Sequence, residues 1–205
     1  MIAIVDYGSG NVGAIENLLR RRRIPHMLTA KPAELSIAEK FILPGVGAFD
    51  PTMETLQRAG IVEALNEEVL GKGKTVLGIC VGMHLMAESS DEGDLPGLGW
   101  IPGHVRRIDE GLLKEPPKLP HMGWNSITAR EGASLFVDVD KSRGFYFLHS
   151  YYFDATNPDH VSAYALYGKN LPCAVARENI FGTQFHPEKS HANGMQLFAN
   201  FAALK

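Results

Sequence analysis

The chain has 205 residues, a net charge of −3 and hydrophobic residue types at 45% of its positions. This balance gives no sign of a nucleic-acid or membrane partner, and no apolar run is long enough to span a bilayer. A single domain covering residues 1–205 buries about 70% of its unfolded surface and forms a large core. The two cysteines, Cys80 and Cys173, are not paired by spacing, so we expect free thiols and a cytoplasmic protein.

Short apolar segments alternate with amphipathic ones through the first half of the chain. The pattern predicts strands at 2–5, 27–29, 41–43 and 75–79, and helices at 12–23, 52–59 and 61–70. The second half is richer in predicted strands, at 105–108, 144–148, 161–167, 174–176 and 180–185, and closes with a helix at 195–204. Segments 91–99 and 109–120 are predicted to be loops. This alternation predicts an α/β fold with a mostly parallel central sheet flanked by helices.

A cysteine lies between two glycines in the segment Gly78-Ile79-Cys80-Val81-Gly82, directly after the apolar residues 75–77. A strand that turns sharply into a helix strains the residue at the turn, and small neighbours two positions away relieve the crowding. Residues 83–88 are predicted to form that helix. At its N-terminus, unpaired N–H groups favour a thiolate, and the Val81 amide would point at the reacting centre. The alternative is a buried structural cysteine in a βα turn.

A second candidate segment, QFHPE at 184–188, follows a predicted strand far downstream. Pro187 favours an extended conformation at His186. Residues two apart in an extended chain point to the same side, so His186 and Glu188 are predicted to face one site. A thiol, an imidazole and a carboxylate are the nucleophile, base and orienting group of a cysteine hydrolase. The alternative for this pair alone is an exposed position on a loop.

Six separated segments, in order along the chain, resemble those of the triad-type (class I) glutamine amidotransferases. The resemblance is closest to the family of glutaminase subunits of imidazole glycerol phosphate synthases. The segments are IVDYGSGN at 4–11, LPGVGAF at 43–49, GICVG at 78–82, PHMGWN at 120–125, FYFLHSYY at 145–152 and QFHPE at 184–188. The resemblance implies a flavodoxin-like fold and a Cys80–His186–Glu188 triad that hydrolyses glutamine to glutamate and ammonia. We expect no cofactor.

The resemblance also implies roles for residues outside the triad. An oxyanion hole would form from the Val81 amide and an amide in the segment of Gly45, Val46 and Gly47. The glutamine backbone would be held around His149, Ser150 and Tyr151. This chain departs from the family at His84, where the usual residue is a glutamine that helps to hold the substrate. His84 is one helical turn beyond Cys80, so we expect it either to contact glutamine or to pack in the wall of the site.

The partner implied by the resemblance is a (β/α)8 cyclase subunit that forms a heterodimer with the glutaminase. Ammonia would pass through the barrel and be used to make imidazole glycerol phosphate and an aminoimidazole carboxamide ribotide. Asn11, Trp124, Asn125 and Lys189 are predicted to belong to the docking face. Two alternatives stay open. One is a paralogous glutaminase that feeds a sugar-modifying amidotransferase of surface polysaccharide synthesis, and the other is a non-catalytic binding module.

Three other patterns suggest functions that we do not favour. The segment GSGNVG at 8–13 matches a dinucleotide fingerprint, but residues 29–31 lack the acidic side chain that the fingerprint requires, so we predict a tight turn. The arginine run 20–23 falls at the end of a predicted helix, where cations complement the helix dipole. The eight histidines include no pair at i, i+4 and the chain has no Cys-x-x-Cys, so we expect no metal.

Overall fold

A computed structural model describes residues 1–113, 118–140 and 142–204 of the chain. An eight-stranded sheet lies at the centre of the fold. Its first strands, β1 (Ile2–Val5), β2 (His26–Thr29), β3 (Lys40–Gly45) and β4 (Thr75–Cys80), pair in parallel in the order β2-β1-β3-β4. All but β2 are almost completely buried, which is typical of parallel strands covered on both faces. These four strands were predicted, and each lies within two residues of its predicted bounds.

The remaining strands are mostly antiparallel. They are β5 (Ser89–Ser90), β6 (Gly103–Arg107), β7 (His121–Asn125), β8 (Ile127–Ala129), β9 (Phe145–His149), β10 (Tyr151–Ala155), β11 (Val161–Tyr167), β12 (Lys169–Arg177) and β13 (Ile180–Thr183). Strand β13 lies beside β4 and parallel to it, and the large sheet continues as β12-β11-β8 with antiparallel pairing. The predicted α/β architecture, with a mostly parallel central sheet and a strand-rich second half, is confirmed.

Two smaller sheets lie outside the central one. Strands β10, β6 and β5 form one, and β7 and β9 form an antiparallel ribbon. The sequence predicted none of β5, β7 and β10, nor β8 of the central sheet. In β7 the side chains of Met122 and Trp124 are exposed and Gly123 has a positive φ of 118°, so the segment lacks the buried, β-branched character that marks a strand.

Six helices are present in the described residues. They are α1 (Val12–Arg21), α2 (Pro32–Leu35), α3 (Phe49–Arg58), α4 (Ile61–Asn66), α5 (Val81–His84) and α6 (His191–Ala203), and a π-helical turn at Glu67–Gly71 continues α4. Helices α3 and α6 begin three and four residues earlier than predicted. None of the described helices combines the length and the apolar character needed to cross a bilayer.

The helix predicted at 83–88 is much shorter, because α5 ends at His84. Beyond α5 the chain forms tighter 3-10-type bonds, from Met86 N to Met83 O at 3.1 Å and from Ala87 N to His84 O at 3.0 Å. Glu88 N, which would continue the helix, donates instead to Gly103 O in β6 at 3.0 Å. The loop predicted at 91–99 is present, and its Leu98 N donates to Leu85 O at 2.7 Å. The predicted loop at 109–120 contains a 3-10 turn at Glu110–Leu112, and its residues 114–117 lie outside the described residues.

One hydrophobic cluster extends through both halves of the chain. It contains the parallel strands together with Phe145, Phe147, Phe185 and Phe201, all of them fully buried. The rings of Phe145 and Phe185 stack with their centroids 4.0 Å apart. Since Phe185 immediately precedes His186, this stack fixes the segment that follows β13 against the β7–β9 ribbon. The fold thereby brings the ends of β3, β4, β9 and β13 to one place.

Candidate active site

Cys80 lies at the turn between β4 and α5, with φ 54° and ψ −111°. A positive φ at a residue with a side chain is strained, and such strain persists only where the surrounding packing enforces it. The packing here is tight, since a Cβ on Gly78 would lie 2.6 Å from the Gly82 carbonyl oxygen and a Cβ on Gly82 would clash with the Leu43 carbonyl. The predicted strained elbow is therefore present, and it holds Cys80 at the carboxyl edge of the parallel sheet.

His186 and Glu188 form a buried pair beside this elbow. Nδ1 of His186 is 2.8 Å from Oε1 of Glu188, and both side chains are only 2% exposed. Burial alone would lower the pKa of His186, but its contacts with Cys80 and Glu188 outweigh burial and raise that pKa to about 9. The imidazole thus stands between a sulfur and a carboxylate, in the order that general base catalysis by a triad requires.

The route by which Glu188 reaches His186 differs from the predicted one. His186 is extended, with φ −98° and ψ 98°, as its place before a proline predicts. The chain then turns at once, because Pro187–Lys189 is a 3-10 turn closed by Lys189 N donating to His186 O at 3.0 Å. The interpretation of 186–188 as an extended segment was therefore wrong. A proline fits the first position of a helical turn, since its fixed φ is already helical.

A cavity of about 150 Å³ opens beside Cys80 and His186. Its wall is formed by the ends of several strands and their loops, and the other lining residues are Val46, Gly47, Val81, His84, Glu92, Leu148, His149, Ser150 and Tyr151. Every residue predicted for the triad and the glutamine clamp lies here except Glu188, which is behind His186. Sequence reasoning missed Glu92 and Leu148. Glu92 belongs to the irregular loop 91–99, where no periodicity marks a functional side chain.

Two segments supply backbone amides near the sulfur. Val81 N–H belongs to the first turn of α5, whose donors have no partner within the helix. Across the cavity, the hydroxyl of Ser9 bonds both backbone groups of Val46, accepting from its N–H at 3.0 Å and donating to its carbonyl at 2.7 Å. The Val46 N–H is thus occupied. Gly45 pairs with Cys80 in the β3–β4 ladder and does not line the cavity, so the Gly47 amide is the one of this segment best placed to face the site.

A row of histidines extends from the cavity wall into the β7–β9 ribbon. His149 donates from Nδ1 to the Tyr151 carbonyl at 2.7 Å, and its Nε2 is 2.9 Å from Nδ1 of His121. Because a carbonyl only accepts, His149 must accept from His121, and Asn125 Nδ2 then donates to Nε2 of His121 at 3.2 Å. Burial lowers the pKa of His149 to about 3 and that of His121 to about 4, so both are neutral.

The four residues predicted to contact a partner all lie outside the cavity. Trp124 is 49% exposed on the β7–β9 ribbon and stacks on His191, while the ammonium group of exposed Lys189 lies 5.6 Å from the Tyr146 ring centroid. Asn11 caps α1 by accepting from Ala14 N–H, and Asn125 holds the histidine row. The loop 8–11 before α1 is the predicted tight turn, with positive φ at two glycines. Within the described part of the chain, no group of three or more His, Cys, Asp or Glu side chains is arranged to hold a metal ion.

The elbow, the triad geometry and the backbone amides agree with a match to known proteins. Residues 3–204 match the family model described as glutamine amidotransferase class-I. The chain belongs to this family. A solved structure described as a glutamine amidotransferase is 18% identical, covers 99% of both chains and superposes with a TM-score of 0.73, which confirms the fold. The amidotransferase is thus a cysteine-dependent enzyme of the class-I type.

Two curated relatives are similar over their full lengths. The protein named imidazole glycerol phosphate synthase subunit HisH in Bdellovibrio bacteriovorus is 49% identical over 100% of both chains. The protein of the same name in Leptospira interrogans is 45% identical, again over 100% of both chains. This amidotransferase is therefore as long as these relatives and aligns with them from end to end.

Proposed function

We propose that this amidotransferase is the glutaminase subunit of an imidazole glycerol phosphate synthase in histidine biosynthesis. It hydrolyses glutamine to glutamate and ammonia, and the ammonia passes to a (β/α)8 cyclase subunit. The observation that carries the proposal is the buried His186–Glu188 pair at 2.8 Å, with His186 and the strained Cys80 both lining one cavity. The full-length similarity to the two HisH proteins supports the choice of this ammonia acceptor.

The first half of the reaction forms a thioester. The Cys80 thiolate attacks the side-chain carbonyl carbon of glutamine, and the developing oxyanion is held by the amides of Val81 and Gly47. His186, protonated at the start because its pKa is raised to about 9, gives its proton to the departing nitrogen. The carbon–nitrogen bond breaks and ammonia leaves.

The second half releases glutamate. His186, now neutral, takes a proton from water, and the resulting hydroxide attacks the thioester carbon. The carbon–sulfur bond breaks, and Cys80 leaves as a thiolate. Throughout, Glu188 accepts the hydrogen bond from Nδ1 of His186, so the catalytic proton is kept on the other nitrogen, Nε2.

The cavity wall suits an amino acid with a long polar side chain. Glu92 lies in the cavity wall, and one of its carboxylate oxygens accepts a hydrogen bond from Phe49 N–H at 3.1 Å. Burial raises the pKa of this carboxyl group, and a bound ammonium group would stabilise its charged form. We assign Glu92 to the α-ammonium group of glutamine, and Ser150 and Tyr151 to its α-carboxylate.

The surface around the cavity mouth suits a protein partner. Four large apolar side chains are exposed there: Val46 at 46%, Met122 at 61%, Trp124 at 49% and Leu148 at 37%. Met122 pairs with Leu148 across the β7–β9 ribbon, so their side chains lie on one face, and both Val46 and Leu148 line the cavity. An apolar patch that reaches the edge of a reaction cavity is typical of a protein–protein interface beside it.

The test measures glutamate release and synthase turnover with the purified (β/α)8 cyclase subunit. We expect glutamine-dependent turnover for the wild type, and a loss of at least about 1,000-fold for Cys80→Ala with ammonia-dependent turnover unchanged. Cys173→Ala is the matched control, because this second cysteine is fully buried and outside the cavity. Glutamate release without synthase turnover would assign the chain to another ammonia acceptor. Equal glutamate release by Cys80→Ala and the wild type would reject the glutaminase itself.

A further inference from the structure

The side-chain amide of Gln184 lies between the nucleophile and His84. Gln184 follows β13 directly and is fully buried. Its Oε1 is 2.8 Å from Nε2 of His84, and its Nε2 is 3.9 Å from Sγ of Cys80, within hydrogen-bonding distance for sulfur. The two ends of one amide group therefore contact two residues of the cavity wall, one of which is the nucleophile.

The direction of these hydrogen bonds follows from His84. Burial lowers the pKa of His84 to about 4, so the ring is neutral and carries one proton. Among the described residues, Nδ1 of His84 has no hydrogen-bond partner. A buried N–H without an acceptor is rarer in proteins than an acceptor without a donor, so the proton belongs on Nε2, where it is donated to Oε1 of Gln184. The amide NH2 of Gln184 must then face the sulfur.

The opposite orientation of the amide is unfavourable at both ends. It would place the Gln184 oxygen against a thiolate, where two negative groups meet in a buried site of low dielectric constant. It would also require the proton of His84 on Nδ1, which would leave a buried donor without an acceptor. The single proton of His84 thus selects which end of the Gln184 amide faces Cys80.

The geometry points to a role for both residues in preparing the nucleophile. Gln184 donates a hydrogen bond to the Cys80 thiolate, and His84 is a positioning residue that fixes the orientation of this donor. Hydrogen bonds to a charged acceptor are stronger than neutral ones, and burial strengthens them further. The inference rests on the proposed role of Cys80 as the nucleophile, but its main test, the alkylation of Cys80, requires neither glutamine nor the partner.

Other titratable groups also surround the sulfur and must be held constant. His186 contacts Cys80 and is backed by Glu188, and His149 and Glu92 line the same cavity. Tyr7, from the loop after β1, has a pKa raised by burial, to which the charge of Cys80 adds a contribution. None of these groups changes in the variants below, so a difference between variants reports on Gln184 and His84.

The experiment follows the rate at which iodoacetamide alkylates Cys80 as a function of pH. All proteins carry Cys173→Ala, so that Cys80 is the one cysteine left in the sequence. The rate reports the thiolate fraction. We expect Gln184→Met, which keeps the size but removes the donor, to move the midpoint of the profile upward by about one pH unit. His84→Met is expected to move it in the same direction by less, because the donor remains but its orientation is no longer fixed.

His84→Gln is the conservative variant, because an amide N–H can also donate to Oε1 of Gln184. Its alkylation midpoint should return to that of the Cys173→Ala protein. In the assay of glutamate release with the cyclase subunit, His84→Met should lower kcat and leave the KM for glutamine within about two-fold of the wild-type value. A direct contact of His84 with glutamine would instead make this variant raise KM. Since Gln184→Met can fail to fold, Gln184→Glu provides a second variant: it replaces the donor by an oxygen and should move the midpoint upward still further.

Unchanged midpoints in whichever of Gln184→Met and Gln184→Glu are folded, as judged by thermal unfolding, would overturn the hydrogen bond to the thiolate. A shift in the Gln184 variants with none in His84→Met would overturn the positioning role of His84. The alkylation results do not depend on whether the protein hydrolyses glutamine. If the alkylation profiles shift as expected but the protein does not hydrolyse glutamine in the assay with the cyclase subunit, the glutaminase proposal fails and this inference stands.

Discussion

The two walls of the cavity contrast in how firmly the fold holds them. On one side, Cys80 is 5% exposed and a Cβ on Gly82 would clash with the backbone of β3. On the other side, Val46 is 46% exposed, and a Cβ on Gly47 would meet no atom within 4 Å. Cys80 is therefore fixed by packing, while the segment that we propose to supply the second oxyanion amide lies open at the surface.

This contrast indicates how the work of catalysis is divided. A strained residue such as Cys80 needs the whole core behind it, and the parallel strands β3, β4 and β13 provide that support. Val46, in the open wall, has both backbone groups bonded by one side chain, Ser9, and belongs to an apolar patch suited to a partner. The single chain already brings Cys80, His186 and Glu188 together. Under the proposed function, the open wall is the part on which a docked partner would act.

The largest expected effect on activity comes from a substitution behind the buried wall of the cavity. In Glu188→Gln, the amide NH2 can point at Nδ1 of His186, which would move the ring proton to Nε2 and leave no acceptor for the proton of Cys80. Glutamate release in the presence of the partner should fall by about 10³ to 10⁴-fold. The thermal unfolding midpoint serves as the control. A fall of less than ten-fold in a folded variant would show that the orientation of His186 does not depend on Glu188.

A pair of glycine variants tests the contrast in packing directly. Gly82→Ala should lower the free energy of unfolding by about 3 kcal/mol, because the added methyl group meets the Leu43 carbonyl. Gly47→Ala should cost only about 1 to 2 kcal/mol, since it adds backbone strain at φ 109° but no steric clash. Urea unfolding measures both. Equal losses would mean that the two walls are held equally firmly.

The parts of the molecule that follow from the sequence are those where burial and periodicity agree. Strands β1 and β11 both match their predicted bounds. Strand β1 is fully buried, and in β11 buried residues alternate with more exposed ones. The elbow was also predictable, because the Gly-x-Cys-x-Gly spacing describes a steric requirement between neighbours in sequence. The same holds for His186, whose extended conformation follows from Pro187.

The parts that could not be predicted depend on contacts between distant segments. Helix α5 is short because Glu88 N, which would extend it, donates to Gly103 O at the start of β6. Glu92 reaches the cavity only because loop 91–99 folds back onto the start of α3. Gln184 did carry a signal, since it is a polar residue at the end of a buried strand, next to a candidate catalytic histidine. Its contacts with Cys80 and His84 involve separations of 104 and 100 residues, which no local pattern reveals.

The buried wall also predicts a pH dependence of stability. His84, His121 and His149 have pKa values lowered to about 4, 4 and 3, so they stay neutral when folded and take up protons on unfolding. The stability that these neutral histidines contribute is complete above pH 6.5 and is lost as the pH falls toward 4. The variant His84→Gln removes one of these three buried histidines. Between pH 6 and 4.5, its free energy of unfolding should therefore change with pH less steeply than that of the wild type, by about 1.4 kcal/mol per pH unit.

His186 does not interfere with that measurement. Its pKa is raised to about 9, so its contribution to stability is complete below pH 6.5 and is lost only as the pH rises through 9. As the control, plots of unfolding free energy against pH for the wild type and His84→Gln should run parallel near pH 7. Urea unfolding at half-unit intervals measures the slopes. Identical slopes below pH 6 would mean that His84 is protonated in the folded protein, and the buried wall would then be more open to solvent than its packing indicates.

The smallest effect is expected at the open wall. Ser9→Ala removes the hydroxyl that bonds both backbone groups of Val46, so the Val46 N–H becomes available to an oxyanion. Glutamate release without the partner should rise by about five-fold, since one hydrogen bond is worth about 1 kcal/mol. Ser36→Ala is the matched control, because Ser36 also bonds a backbone carbonyl but lies beside the amino end of β3. No change, or a fall, would mean that Ser9 supports the oxyanion segment instead of restraining it, and the open wall would then be as firmly prepared for catalysis as the elbow.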